Sequence, residues 1–231
     1  MPRKFVTLCV ILCTFTSLLF AGAKNGGEAK PFNLVSSSSE GVVLDYLPEN
    51  FRQNTIILNG KQYFSFQSKL GVETSEKGKP QLPEVGTLVG IPPNVTVQVS
   101  VLESKFSTQV LSQEILPAPN YTFDENNEAV AHYESDDDFN KHEQAFYPER
   151  TVELAGISQL REQRVARVIV YPIQYNPATK ELKQLLHLRI KCTFISSAKA
   201  SGTAWVSSAD NSPFDPVYKN LIVNYAEEIG R

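Results

Sequence analysis

The sequence has few cysteines, and it has no long apolar run after its first 23 residues. Cys9 and Cys13 lie within those residues, so Cys192 is the one thiol that follows them. A single thiol excludes an intramolecular disulfide, and the fold must therefore depend on a hydrophobic core. No later apolar stretch approaches the roughly 20 residues that cross a bilayer as a helix. These absences exclude a disulfide-stapled scaffold and a helical membrane protein.

The first 23 residues have the pattern of a secretory signal peptide. Arg3 and Lys4 precede an apolar run from Phe5 to Phe20, and Ala21-Gly22-Ala23 has the small-x-small form of a cleavage site. We therefore expect cleavage after Ala23. The mature chain is expected outside the cytoplasm, in the periplasm, at the cell surface or in the extracellular space.

Basic side chains are in the minority. The whole chain has 22 Lys and Arg against 25 Asp and Glu, and loss of Arg3 and Lys4 with the signal leaves 20 against 25, a net charge of −5. Nucleic-acid binding needs a net basic face and is therefore disfavoured. The 42% hydrophobic and 20% charged content is that of a folded globular protein.

Catalytic signatures are missing as well. The sequence has no Gly-x-Ser-x-Gly, no His-Glu-x-x-His and no glycine-rich phosphate loop. Cys192 alternates with Leu188 and Phe194 and should point inward, whereas His187 should lie on the opposite face of the same strand. We therefore predict a buried structural thiol and no enzymatic activity in this chain.

Apolar alternation with a period of two is the main structural signal. It predicts a strand over Val95–Val101 and another over 186–194, where one face should carry Leu186, Leu188, Ile190, Cys192 and Phe194. The second strand is expected to pair with Val165–Tyr175. Asn59-Gly60 between Thr55–Leu58 and Lys61–Phe66 predicts a hairpin with a two-residue turn.

The remaining segments predict coil and one helix. Residues 24–41 are rich in Gly and Ser and predict a flexible lead-in, so that folding starts near Val42. Residues 76–93 contain four prolines and predict a loop with at most an edge strand. Asp215-Pro216 is typical of a helix start. We predict one all-β domain over 42–231, an antiparallel, jelly-roll-like β-sandwich with a short C-terminal helix.

The segment from Tyr121 to Glu149 concentrates negative charge. It contains nine acidic residues and one base, Lys141, within 29 residues. A long loop of this kind in a compact domain is typical of a partner-binding element, although a solvated loop without a role is also compatible with it.

The same acidic segment offers weak metal-site candidates. Asp136, Asp137 and Asp138 are the residues that could hold calcium, but they lack the glycine and bidentate glutamate of a helix–loop–helix site. His132 and His142 lack the third ligand of a zinc site. We therefore expect no cofactor, with calcium at the three aspartates as the remaining possibility.

Three segments together resemble the N-terminal pro-segment of gingipain-type cysteine endopeptidases, peptidase family C25 of clan CD. They are Glu76–Pro83 (EKGKPQLP), Tyr171–Leu182 (YPIQYNPATKEL) and Phe214–Tyr225 (FDPVYKNLIVNY). The resemblance implies a secreted, non-catalytic β-sandwich that covers the active-site cleft of a cognate cysteine peptidase domain. That domain is expected C-terminal in the same precursor, and it would carry the catalytic Cys and His.

The resemblance also implies roles for particular residues. The pro-domain would keep the enzyme latent, assist its folding and be removed after a basic residue, for which Arg231 is the candidate. Residues 120–147 are expected to cross the cleft, with Lys141 or Arg150 entering a pocket for basic side chains. Arginine-specific members should present an arginine earlier in this loop, where Tyr121 and Phe123 stand here. We therefore expect a preference for lysine or a contact remote from the pocket.

A different class of protein is also compatible with the sequence. A free-standing calcium- or carbohydrate-binding β-sandwich would bind the ion at its acidic loop and stack Trp205 on a sugar. Calcium-dependent stabilisation would favour this alternative, because a ligand bound only by the folded state raises its stability.

Overall fold

The computed structural model describes residues 30–142, 145–196 and 213–225. The central sheet consists of β1 (Phe32–Ser38), β2 (Gly41–Tyr46), β7 (Val95–Val110), β13 (Ile173–Asn176) and β14 (Glu181–Ser196). The facing sheet has the order β11 (Val152–Leu160), β12 (Gln163–Val170), β6 (Pro83–Gly90) and β5 (Val72–Glu73).

Two smaller sheets and two helices complete the described fold. The three-stranded sheet consists of β3 (Arg52–Leu58), β4 (Lys61–Gln67) and β8 (Glu114–Ile115). The two-stranded sheet consists of β9 (Asn120–Phe123) and β10 (Ala129–His132). The helices are α1 (Asp137–His142) and α2 (Asp215–Leu221). No helix within the described residues is long and apolar enough to cross a membrane.

The main core lies between the central sheet and the facing sheet. Leu44 on β2 and Ile190 on β14 belong to one buried cluster with Val89 on β6 and Val168 on β12. Burial of each such side chain contributes about 1.5–3 kcal/mol relative to exposure. The prediction of an antiparallel all-β sandwich with a C-terminal helix is confirmed.

A second core forms on the other face of β14. Leu182 and Leu185 are three residues apart and therefore point to opposite faces of the strand. Leu185 belongs to the main core, whereas Leu182 packs with Tyr175 on β13 and Phe66 on β4. The three-stranded sheet is thus fixed to the sandwich by its own hydrophobic cluster.

Strand β14 follows the predicted alternation from Leu188 onward and departs from it before. Leu188 and Cys192 are buried, but Leu186 is 52% exposed, so its predicted inward orientation was wrong. The register against β7 shifts between Leu185 and His187, which makes Leu186 the extra residue of a bulge. Leu185 takes the inward position instead. The alternation alone could not show this, because the bulge depends on the pairing with β7.

A predicted turn and a predicted helix start are confirmed. Asn59 and Gly60 have φ angles of 50° and 78°, as a two-residue turn between β3 and β4 requires. Helix α2 begins at Asp215 with Pro216 in its first turn.

The predicted start of folding near Val42 was wrong. Strand β1 covers Phe32–Ser38 and pairs antiparallel with β2. Phe32 is buried and its ring centroid lies 4.9 Å from that of Tyr46. Phe32 anchors this serine-rich strand, and Leu34 also packs against the main core.

The prediction of a loop with at most an edge strand over 76–93 was also wrong. Strand β6 lies between β12 and β5 and pairs with β12 from Val85 to Gly90. Its prolines do not interrupt that ladder, because Pro83 opens the strand and Pro92 follows its end.

The single strand predicted over Val165–Tyr175 is divided between two sheets. Strand β12 ends at Val170 and pairs with β11 and β6 in the facing sheet. After Tyr171-Pro172 the chain enters β13, and only the four residues of β13 pair with β14. Pro172 has no N–H to continue a ladder, so the strand breaks there.

A charged cluster connects β2, β14 and β7 on the outer face of the central sheet. The Arg189 guanidinium donates two hydrogen bonds to Asp45, from Nε to Oδ1 (2.7 Å) and from a terminal nitrogen to Oδ2 (2.8 Å). His187 Nε2 lies 3.4 Å from Asp45 Oδ1, and its Nδ1 lies 4.0 Å from Glu103. The hydrogen bonds from Arg189 hold the pKa of the Asp45 carboxyl below its usual range.

We expect Arg189→Ala to lower the free energy of unfolding at neutral pH, with a smaller effect in acid. The folded-state pKa of Asp45 is depressed, so the stabilisation exists above its unfolded pKa of about 3.9 and is lost as the pH falls through the lower folded value. Urea unfolding between pH 7 and pH 2.5 measures this difference, with Lys191→Ala on the same face as control. A deficit that stays constant down to pH 2.5 would contradict the role of this pair.

Candidate functional site

A two-stranded hairpin stands apart from the sandwich. Strands β9 and β10 pair only with each other among the described strands, and all eight of their residues are exposed. This hairpin and α1 occupy much of the acidic segment for which the sequence predicted a long loop. The segment therefore has regular structure and can present side chains in a fixed arrangement.

The turn of the hairpin is organised by Asp124. Its Oδ1 accepts hydrogen bonds from the backbone N–H groups of Asn126 and Glu128, each at 2.8 Å. Its own N–H donates to the Glu128 carbonyl (3.0 Å), and Asn127 adopts a left-handed φ of 62°. These bonds close the turn and make the tip of the hairpin acidic.

One face of the hairpin is apolar. Tyr121 lies opposite Ala131 and Phe123 lies opposite Ala129, so these four side chains share a face. The two aromatic residues are 60% and 69% exposed. Large exposed aromatic side chains beside one another are typical of protein-binding surfaces.

Gly78 holds both ends of the segment that contains the hairpin. Its N–H donates to the carbonyl of Ala118, just before β9, and its carbonyl accepts from the N–H of Asp136, just before α1, each at 3.0 Å. Gly78 has a φ of 78°, and a Cβ added there would lie 2.9 Å from the Asp136 nitrogen. Only glycine adopts this φ without strain and also lacks the Cβ that would meet the Asp136 nitrogen. We call this arrangement the Gly78 clamp.

Side chains next to the Gly78 clamp attach α1 to the second core. Lys79 forms an ion pair with Glu76 (2.5 Å) and lies over the rings of Phe139 and Tyr147, 5.2 and 5.3 Å from their centroids. Those two rings meet edge to face at 5.6 Å. The Tyr147 hydroxyl donates to Glu76, 3.2 Å away, and burial raises the pKa of this phenol.

Helix α1 begins at Asp137 and is capped by Asp136. The Asp136 side chain accepts a hydrogen bond from the Phe139 N–H (3.0 Å), as an N-cap does. The cap orients Phe139 toward the second core, against which it packs. The hairpin is thus followed by a short element that is fixed to the body of the protein.

The structure brings together only some of the predicted contact residues. Tyr121 and Phe123 share the apolar face of the hairpin. Lys141 lies in α1, and the exposed Arg150 lies two residues before β11. The predicted cleavage residues Ala23 and Arg231 lie outside the described residues.

The metal and sugar candidates stay predictions. Within residues 30–142, 145–196 and 213–225, no group of three or more His, Cys, Asp or Glu side chains could hold a metal ion. Asp136 caps α1, and calcium at Asp136, Asp137 and Asp138 stays a prediction. Trp205 lies outside the described residues.

Cys192 is the buried thiol that its position in the alternation predicts. It has no exposed surface, and burial raises the pKa of its thiol to about 12. The thiolate required of a nucleophile is therefore essentially absent at neutral pH. His187 lies on the opposite face of β14, where it contacts Asp45.

The sequence did not indicate that Gly78 and Lys79 anchor the acidic segment. The sequence predicts a loop over 76–93, in which a glycine between two lysines, followed by a proline, was the available signal. Phe139 and Tyr147 come 60 or more residues later, so their convergence on Lys79 is visible only in the structure.

We expect Gly78→Ala to loosen the hairpin, with Gly60→Ala as a matched control. Both glycines have a φ of 78°, so both substitutions should cost about 1–2 kcal/mol of backbone strain. Only at Gly78 would the added methyl group meet backbone atoms, because nothing lies within 4 Å of a Cβ at Gly60. Limited thermolysin digestion should cut between 120 and 136 faster in Gly78→Ala than in Gly60→Ala. Equal digestion of the two variants would contradict the Gly78 clamp.

The chain is similar to known propeptides over nearly its whole length. The Propeptide_C25 family profile matches residues 28–231. Gingipain R2 of Porphyromonas gingivalis is 28% identical over 233 residues, which cover 96% of this chain and 30% of that protein. The chain thus spans less than a third of this curated relative.

Solved structures share the fold. The complex of the Porphyromonas gingivalis RgpB pro- and mature domains contains a chain with a TM-score of 0.68 and 23% identity, covering 87% of this chain and 100% of that one. A structure on the zymogenic latency of gingipain K from the same organism gives a TM-score of 0.59 at 18% identity, covering 73% and 94%. The likeness in fold and the family match agree: this chain belongs to the Propeptide_C25 family.

Proposed function

We propose that this chain is the non-catalytic pro-domain of a gingipain-like cysteine peptidase precursor, and that it keeps the peptidase latent by placing the β9–β10 hairpin across the active-site cleft. The observation that carries the proposal is an exposed aromatic face, formed by Tyr121 and Phe123, on a hairpin that is fixed at its base. Chains of similar fold occur in the complex of the RgpB pro- and mature domains and in a structure on the zymogenic latency of gingipain K, which supports the same role here.

The geometry of the hairpin makes it a poor substrate. Its backbone groups are engaged in the ladder between β9 and β10 and in the bonds around Asp124. A cut in the turn would leave two ends that the ladder and the Gly78 clamp still hold together. The cleaved form would therefore remain in the cleft, and inhibition would not depend on resistance of one peptide bond.

The charge distribution separates the hairpin from any pocket for basic side chains. No Lys or Arg occurs between Lys105 and Lys141, and the turn carries Asp124, Glu125 and Glu128. An anionic specificity pocket would repel this turn. We infer that the aromatic face meets an apolar wall of the cleft and that Lys141 fills the pocket, with Arg150 as the second candidate.

The pro-domain would also assist folding of the peptidase and act outside the cytoplasm. The signal pattern over residues 1–23 supports export, with cleavage after Ala23. Release from the peptidase would follow cleavage after Arg231.

We expect the double substitution Tyr121→Ala and Phe123→Ala to raise the inhibition constant for the peptidase of the same precursor at least 30-fold. Buried aromatic anchors contribute about 2 kcal/mol or more each at protein interfaces. Ile57→Ala is the matched control, because Ile57 is 68% exposed on the edge of a different sheet. Inhibition equal to wild type in the double variant, or equal losses in both proteins, would exclude the aromatic face as the contact.

Lys141→Ala should weaken inhibition about 10-fold if its ammonium group enters a specificity pocket for basic side chains. Arg150→Ala serves as the comparison, since it removes one positive charge from a nearby exposed position. Titration of the mature peptidase with each variant measures the inhibition constant. Unchanged potency of Lys141→Ala, with a loss in Arg150→Ala, would assign the pocket to Arg150 instead.

A further inference from the structure

A pocket of about 310 Å³ lies at the base of the hairpin, lined by residues of the Gly78 clamp, α1, β4, β8 and β13. Its wall includes three prolines, whose rings fix the backbone φ angle: Pro80, Pro117 and Pro177. Pro80 and Pro117 are buried and lie opposite each other in an antiparallel backbone bridge. The wall is therefore rigid, and the pocket is formed before any partner arrives.

Tyr175 on β13 lines this pocket and is only 1% exposed. Two backbone hydrogen bonds of 2.8 Å with Tyr147 fix its position. Its buried hydroxyl has no hydrogen-bond partner among the described residues, whereas most buried polar side-chain atoms are paired. Burial and, second, the charge of Glu114 raise the pKa of Tyr175 to about 12, which indicates that the hydroxyl and this carboxylate are neighbours. The hydroxyl oxygen can therefore accept a hydrogen bond from a group that enters the pocket.

The charged side chains of the pocket are more acidic than basic. Glu114 and Asp137 line it, against one base, Lys61. The Lys61 ammonium donates to Glu114 Oε2 (2.7 Å) and also lies 5.0 Å from the ring centroid of Tyr63. Within the described part of the chain, Glu114 Oε1 accepts no hydrogen bond, so this carboxylate can accept from a second donor. A cation with several N–H groups could thus bond to Glu114 and to the Tyr175 hydroxyl together.

We propose that this pocket binds a guanidinium side chain on the surface of the peptidase, as a second contact beside the hairpin. The inference rests on the proposed function, because a peptidase whose cleft holds the hairpin must pass close to the base of the hairpin, where the pocket lies. A guanidinium group is planar, carries five N–H donors and is more weakly hydrated than an ammonium group. It can therefore reach a carboxylate and a hydroxyl at the same time and enter a partly enclosed pocket more readily than a lysine side chain.

The chemistry of the pocket can be tested on the chain alone. Ethylguanidinium is the probe, and ethylurea has a similar shape without the charge. NMR titration of the chain, isotope-labelled in its tyrosine rings, should show a saturable shift of Tyr175 with ethylguanidinium, which should bind about 10-fold more tightly than ethylurea. Tyr46 is the internal reference, because its buried hydroxyl also has no partner among the described residues but it does not line the pocket. Equal affinity for the two probes, or equal shifts of Tyr175 and Tyr46, would overturn the proposal.

Inhibition of the mature peptidase of the same precursor tests the partner. Tyr175→Phe removes only the hydroxyl and should raise the inhibition constant about 10-fold, because a hydrogen bond to a charged group is lost. Tyr46→Phe is the matched control and should leave the inhibition constant unchanged. Neither hydroxyl has a partner among the described residues, so neither substitution should lower the free energy of unfolding of the free chain. Urea unfolding of both variants thus separates a loss of inhibition from a loss of folding.

A second pair of variants separates the Glu114 carboxylate from its ion pair. Glu114→Gln and Lys61→Met both break the ion pair, but only Glu114→Gln removes the negative charge that a guanidinium group would meet. Glu114→Gln should raise the inhibition constant about 10-fold, whereas Lys61→Met should leave it unchanged or lower it. Equal losses in these two variants would overturn the proposal, since the ion pair would then act through the fold. Wild-type potency of Tyr175→Phe and Glu114→Gln would overturn it too, and Tyr121→Ala/Phe123→Ala measured alongside shows whether the placement of the hairpin fails with it.

Discussion

The two hydrogen bonds of Gly78 are the constraint on which the position of the hairpin depends. One bond reaches Ala118, two residues before the hairpin, and the other reaches Asp136, which caps α1. A single glycine in the turn of residues 76–80 therefore sets the separation of the two ends of the acidic segment. The sandwich supplies the rigid base, since β6 leads directly out of this turn into the facing sheet.

The anchoring of the hairpin uses interactions of different kinds. Backbone hydrogen bonds define where the chain leaves and re-enters the body, and the Lys79 ammonium between two aromatic rings fixes α1. The Glu76 carboxylate accepts from both Lys79 and Tyr147, which connects the turn to the second core. This arrangement leaves the aromatic face of the hairpin exposed while its base is held, which is the geometry that an inhibitor of a cleft needs.

Much of the fold could be predicted from local patterns. The strands β7 and β14, the Asn59-Gly60 turn and the Asp215-Pro216 helix start each involve residues close in sequence, and each is confirmed. The predictions were wrong where the structure depends on pairing between strands that are distant in sequence. Leu186 was displaced by a bulge that exists only against β7, and β6 became an internal strand because β12 and β5 flank it.

The candidate site was predictable only in part. The concentration of acids between Tyr121 and Glu149 is visible in the sequence, and it indicated the segment that now contains the hairpin. The hairpin itself was not predicted, since Asn120–Phe123 and Ala129–His132 are too short to show a clear period. The anchoring of Phe139 and Tyr147 by Lys79 joins residues 60 or more positions apart, and sequence spacing carries no information on such contacts.

The most direct test of the account is amide hydrogen exchange of the chain with and without the mature peptidase of its own precursor. We expect the amides of residues 120–132 to become protected in the complex, while the outer face of the central sheet around Arg189 stays unchanged. An inhibited complex in which 120–132 exchange as in the free chain would contradict the placement of the hairpin in the cleft.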